Sequence, residues 1–151
     1  MNGNSFQPPA KDLQKEPPRS PRALLGGYVI LARCLDKCRS SLAGSNGDYK
    51  FWPCSLCEQF EAFTGIQHEV FQDFVATGAT DDAVAEWVKT QTKVKDPMEI
   101  ISWNHKMRDM RLSEMPADAQ KFLEGYIEEY VPKHRPVYVW FDVFDLEEGR
   151  L

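Results

Sequence analysis

Apolar side chains open the chain's first strong pattern at Leu24, Tyr28, Leu31, Leu35, Cys38 and Leu42, with spacings of 4, 3, 4, 3 and 4. That rhythm puts one residue per turn on a single face and predicts an amphipathic helix ending near Gly44. Ser20 followed by Pro21 reads as its N-cap and first helical position, where a missing N–H is harmless. Gly26 and Gly27 fall inside this span, each disfavoured there by roughly 1 kcal/mol relative to alanine. The pair predicts a close helix crossing or a delayed helix start in preference to a ligand contact.

Further stripes follow at short intervals. Leu56, Phe60 and Phe63 mark a helix from Ser55 to a cap at Gly65. Val70, Phe71, Phe74 and Val75 mark another that ends at Gly78, and Thr80 with Asp81 and Asp82 opens one carrying Val84, Trp87 and Val88. Asp96-Pro97-Met98-Glu99 joins an aspartate N-cap, a first-position proline and a glutamate at the third helical position. Ile100, Trp103, Met107 and Met110 form the stripe behind it. Pro116 and Pro132 bracket a helix whose apolar face is Phe122, Leu123, Tyr126, Ile127 and Tyr130. Residues 137–146 alternate like a strand and also repeat at helical spacing; with no partner strand evident, a terminal helix is the preferred reading. The pattern predicts an all-α fold of about six or seven helices with a short irregular or hairpin-like segment near residues 45–53. Prolines crowd the start, at positions 8, 9, 17, 18 and 21. Residues 1–19 therefore read as a flexible, proline-rich arm and 20–151 as one helical domain, and removal of residues 1–18 is expected to leave stability almost unchanged.

Composition narrows the function classes. With 151 residues, 42% apolar and 12% aromatic, the chain has enough material for one real core. Its formal net charge is −5, which supplies no basic field for phosphates, so nucleic acid is excluded as a partner. The apolar run from Leu24 to Ala32 follows Arg19 and Arg22 as in a signal peptide, but Arg33 comes where small residues before a cleavage site belong. No run approaches the roughly 18 apolar residues of a membrane span. A cytoplasmic protein with reduced thiols and no membrane partner is the expectation.

The stretches "PPRSPRALLGGYVILARCLDKCRSSLAG", "GDYKF", "FTGI", "EIISWN" and "WFDVFDLEEGR" resemble those of a bacterial family of uncharacterised proteins known as a domain of unknown function. The likeness runs from about Asp12 to Arg150. It implies a compact helical domain and a helix at the C-terminal stretch, and it carries no activity. The chain departs from the family pattern at Cys34, where a bulky apolar residue is expected, and at Cys57, where an acidic one is expected.

All four cysteines lie in one pattern, C-x3-C-x15-C-x2-C, at Cys34, Cys38, Cys54 and Cys57. Tetrathiolate zinc needs four sulfurs at tetrahedral corners about 2.3 Å from the metal, and two close pairs joined by a long loop can supply them. Against zinc, Cys38 lies on the core stripe, the first pair has x3 spacing, and buried free cysteine behaves as a small hydrophobe. Four structural, metal-free thiols are the expectation, with Cys38 the most buried and Cys57 more reactive than Cys38; zinc, the one cofactor suggested, is the competing reading. No βαβ pattern surrounds the Cys-x2-Cys pair, so it lacks the context of a thioredoxin-like motif.

Other chemistry is sparse. His68, His105 and His134 share no metal or catalytic spacing, and no nucleophile elbow or phosphate loop is present. Trp103, Asn104 and Arg108 combine an aromatic wall with polar groups and are the candidate ligand-binding residues, against a plainer role in the core. The acidic end, Asp142, Asp145, Glu147 and Glu148, reads as a solvated face. Arg19, Arg22, Arg33 and Lys37 offer an anion site blunted by their negative neighbours. The leading functional expectation is a binding protein, for a small ligand in an interhelical pocket or for a protein partner. The alternatives are a small enzyme of unknown reaction and a zinc-stabilised structural domain, and whether the chain is an enzyme is left open.

Overall fold

A computed structural model describes residues 10–151, and among these residues there are seven α-helices and no β-strand. The chain runs through α1 (Leu31–Ala43), α2 (Ser55–Thr64), α3 (His68–Val75), α4 (Asp81–Gln91), α5 (Pro97–Asp109), α6 (Ala117–Tyr130) and α7 (Trp140–Glu147). A 3-10 turn at Leu112–Glu114 joins α5 to α6. The fold is all-α, as the periodicity predicts. Local signals set the helix ends where they are strong. Thr80 accepts from the Ala83 N–H at 3.1 Å, Asp96 accepts from the Met98 N–H at 2.9 Å, and Gly44 and Gly65 close their helices in the left-handed region.

The first helix differs from its prediction, because it begins at Leu31 and not at Pro21. Leu25 and Tyr28 exchange both backbone hydrogen bonds, each 3.0 Å, around Gly26 (φ 59°) and Gly27 (φ 86°). Positive φ at both central residues is the type I′ turn, which glycine adopts without penalty. The glycine pair thus marks a delayed helix start. It also permits close packing: a Cβ on Gly26 would lie 3.0 Å from the Ala85 Cβ of α4. Leu24 consequently faces solvent while Tyr28 is buried. Ile30, at φ 73°, bends the chain into α1 in a conformation unfavourable for a β-branched residue. Its fully buried side chain and its N–H bond to the Pro21 carbonyl (2.8 Å) hold it there.

Helix α1 is the axis of the fold, with residues 31–38 and Ser40 all buried. Its apolar side packs on α2 and α3. On its polar side Asp36 is met by Arg19, Arg33 by Glu148 and Lys37 by Cys54. Residues 10–19, which the sequence reads as flexible arm, lie against the body: Leu13 and Pro18 are buried, the Leu13 N–H donates to the Ser45 carbonyl, and Ser40 donates to the Lys11 carbonyl. Residues 1–9 lie outside the described part of the chain.

At the other end both periodicities of residues 137–146 are realised in turn. Leu112 N–H donates to the Tyr138 carbonyl and Trp140 N–H to the Met110 carbonyl, both at 2.9 Å, an isolated bridge that gives way at once to α7. Residues 45–53 are irregular, turned by a bond from the Tyr49 N–H to the Asn46 carbonyl.

Candidate functional site

The thiol pattern folds into a cluster of three. Cys54 is the N-cap of α2 in extended backbone, and Cys57 follows on the first helical turn. Cys57 and Cys34, which reaches the cluster from α1, line one small cavity, and Cys54 stands one helical turn before Cys57. Cys38 is not part of it. Its thiol is buried within the core, and burial pushes it up to about 12 against a weaker opposing pull from Arg39.

A lysine completes this cluster. Lys37 is 6% exposed, and its Nζ donates to the Cys54 sulfur at 2.9 Å. Two effects compete at Cys54: the Cys57 thiol and burial push its titration up, and the Lys37 charge and hydrogen bond pull it down, with the net direction upward. Burial likewise drives Cys57 well above the ordinary thiol value. Among the described residues, no group of three or more His, Cys, Asp or Glu side chains has the geometry to hold a metal ion.

Cys54 opens onto a pocket of about 450 Å3. The pocket forms because α6 is only partly seated. Of its predicted apolar face only Leu123 is buried, while Phe122 and Tyr130 stand exposed. The space left beneath α6 is walled by Leu123 and Tyr126 from one side, by Trp140, Val143 and Phe144 of α7 from another, and by Cys54 and Leu56 at the base. Asp118 and Ser55 add polar atoms. The Tyr126 hydroxyl donates to the Glu147 carboxylate at 2.6 Å, and burial together with the neighbouring Glu148 charge keeps the Glu147 carboxyl above its usual range despite that bond. A second cleft, about 620 Å3, lies between the Gly26-Gly27 turn, α4 and α5.

The residues singled out as a ligand site take structural places. Trp103 stacks on Phe63 with ring centroids 4.6 Å apart. Asn104 accepts from the Val29 N–H at 3.1 Å and donates to the Gly27 carbonyl at 2.7 Å, tying α5 to the glycine turn. Arg108 is half-buried at the end of the same helix, and none of the three lines either cleft. His68 stacks on Trp52 and bonds Glu61, whereas His105 and His134 are exposed.

The arginines of the cationic set around α1 are taken up by carboxylates, and Lys37 by the Cys54 sulfur. Arg19 bridges Asp36 and Asp81, Arg22 bridges Asp142 and Asp145, and Arg33 forms a two-pronged pair with Glu148 at 2.9 and 2.7 Å. Asp145 and the Glu148 side chain are consequently buried, a correction to the expected solvated acidic face: besides the nearby Arg150, their partners Arg22 and Arg33 lie 123 and 115 residues earlier in the chain, beyond any local pattern. Sequence reasoning also missed Lys37 as the partner of Cys54. It missed the pocket too, although the surplus of aromatics on α6 was its visible trace.

The chain belongs to the family described as a domain of unknown function (DUF5069), whose profile matches residues 15–150. No curated protein matches it in sequence. Among the described residues, no helix is long and apolar enough to cross a membrane.

Proposed function

We propose that the protein binds a small, mainly apolar molecule in the pocket between α2, α6 and α7. The observation that carries this reading is the pocket itself: about 450 Å3 lined by Leu56, Leu123, Trp140, Val143 and Phe144, with Cys54, Ser55 and Asp118 as its few polar contributors. That volume and that balance of apolar walls and sparse polar atoms are those of small-ligand sites. The acidic side chain among the lining residues favours a neutral or cationic head group over an anion. The sites suggested at Trp103 and Asn104 are less suited, because the Asn104 amide is engaged by backbone.

The test uses N-phenyl-1-naphthylamine, a neutral apolar dye whose fluorescence rises on leaving water. The expected result is saturable binding to the native protein, accompanied by quenching of Trp140. Ala119→Trp, which places an indole in the pocket from α6, is expected to abolish binding with the circular dichroism spectrum unchanged. Absence of dye binding to the native protein, or equal binding by the Ala119→Trp variant, refutes the reading. The exposed Phe122 and Tyr130 beside the pocket also suit a protein partner; native mass spectrometry separates a retained small molecule from a bound chain.

A further inference from the structure

We propose that Cys54 and Cys57 form a redox-active dithiol that closes to a disulfide by exchange with a low-molecular-weight disulfide such as oxidised glutathione, with Cys54 the attacking sulfur and Lys37 its electrostatic support. Three independent features converge on this pair. The first is placement: Cys54 is the N-cap of α2 and Cys57 the third helical residue. Side chains so spaced at a helix start lie roughly 5–6 Å apart at Cβ and approach further by rotation, within reach of a disulfide. The second is asymmetric access. Cys54 is half-buried and borders the 450 Å3 pocket, whereas Cys57 is buried behind it. An incoming disulfide therefore meets Cys54 first, and Cys57 is poised to resolve the product. The third is Lys37, almost completely buried, whose Nζ donates to the Cys54 sulfur at 2.9 Å and so stabilises negative charge there against the burial that opposes it. A buried lysine aimed at a thiol has no role in a purely apolar core.

The exchange balances without any further reagent. The Cys54 sulfur attacks one sulfur of oxidised glutathione, the glutathione S–S bond breaks, and the departing thiolate takes up the Cys54 proton. The Cys57 sulfur then attacks Cys54 in the mixed disulfide. That bond breaks in turn, and the second glutathione leaves with the Cys57 proton. Two protein thiols are oxidised and one glutathione disulfide is reduced to two thiols. The pair does not depend on the pocket holding a ligand, so failure of dye binding leaves it standing. Cys34, which lines the same small cavity as Cys57, offers a competing partner for it.

The experiment incubates the reduced, full-length protein with oxidised glutathione, traps free thiols with N-ethylmaleimide under acid quench, and maps peptides by mass spectrometry. The expected product is a Cys54–Cys57 disulfide formed while the circular dichroism spectrum stays native. Cys57→Ser is expected to accumulate glutathione on Cys54, and Cys38→Ser to behave as wild type. The titratable and charged groups around Cys54 are Lys37 and Arg33 of α1, Cys57 of α2 and, lining the same pocket, Asp118 and Tyr126 of α6. Lys37→Met therefore slows oxidation by roughly tenfold and moves the pH profile of Cys54 alkylation upward. The proposal is overturned if the folded wild type keeps all four thiols free, if the bond joins Cys34 to Cys57, or if co-purifying zinc occupies the cluster. An unchanged rate and profile in Lys37→Met overturns the part given to the lysine.

Discussion

Replacing Glu148 by glutamine tests the central electrostatic claim of the fold. The Arg33 and Glu148 side chains are 3% and 2% exposed, and the carboxylate accepts two bonds from the guanidinium, one from the Tyr49 hydroxyl at 3.1 Å and one from Arg150 at 2.6 Å. The guanidinium is further enclosed by the Phe144 ring, 4.9 Å from its carbon. Glutamine keeps the shape but strands a buried positive charge, for which the cost is about 3–5 kcal/mol, against about 0–1 kcal/mol for an exposed pair. In a domain of this length that loss lowers the melting temperature by roughly 6–20 °C. Urea unfolding followed by circular dichroism reads it as a fall in midpoint at unchanged slope. The double variant Arg33→Met with Glu148→Leu is expected to recover much of the loss, since an apolar pair of similar volume removes the unmatched charge. A loss below about 1 kcal/mol for Glu148→Gln, or additive losses in the double variant, refutes the reasoning.

Three other outcomes are expected. Truncation to residue 19 costs about 3–5 kcal/mol, because it exposes the sites filled by Leu13 and Pro18 and removes the bonds to Ser40 and Ser45, contrary to the sequence-based expectation of no change; an unshifted urea midpoint refutes it. Gly26→Ala costs about 1–3 kcal/mol, since φ 59° is strained for alanine and its Cβ meets Ala85 at 3.0 Å; the variant Gly26→Ala with Ala85→Gly recovers only the clash, and a wild-type melting temperature in Gly26→Ala refutes the turn assignment. Melting temperature also falls at both pH extremes. Burial alone raises the Asp81 and Glu148 carboxyls, but their arginine partners bring both below the ordinary value, so their contribution is whole above about pH 4.5 and is lost as pH falls through their folded values. Cys38, raised by burial from 9.0 to about 12, contributes fully below pH 9 and loses that contribution as pH climbs toward 12; Cys38→Ala blunts the alkaline fall, and a flat profile there refutes the assignment.

Legibility in the sequence followed the range of the interactions. Asp96-Pro97 and Thr80 announced α5 and α4 because an N-cap is decided within three residues, and Gly44 and Gly65 announced helix ends for the same reason. Ser20-Pro21 misled because it has the composition of a helix start, whereas the chain that follows is fixed by a glycine turn and by Asn104, 77 residues beyond Gly27. The candidate site was half legible. Cys54 and Cys57 stand out by spacing alone, but Lys37 looks like any polar-face lysine until α2 is laid across it. The pocket was hidden because a helix with five apolar positions on one face normally buries them, and α6 buries only Leu123.

Helix α7 links the two halves of this structure. Its Trp140, Val143 and Phe144 wall the pocket, while Asp142, Asp145 and the adjoining Glu148 bind Arg22 and Arg33. The two roles meet in a single contact, the Phe144 ring under the Arg33 guanidinium. Arg33 lies on α1, one residue before Cys34 and four before Lys37, so the pocket wall, the buried ion pair and the thiol cluster are all referenced to the same rigid helix. An apolar surface alone fixes a helix only loosely in register, because dispersion and burial have no direction. Directional bonds from Arg22 and Arg33 to carboxylates at three positions of the α7 segment fix both its rotation and its axial position. The polar face of α1 thus sets the shape of a mostly apolar cavity, and the burial of so many charges around one helix follows from that geometric task more readily than from stability, to which buried pairs add little over an apolar substitute.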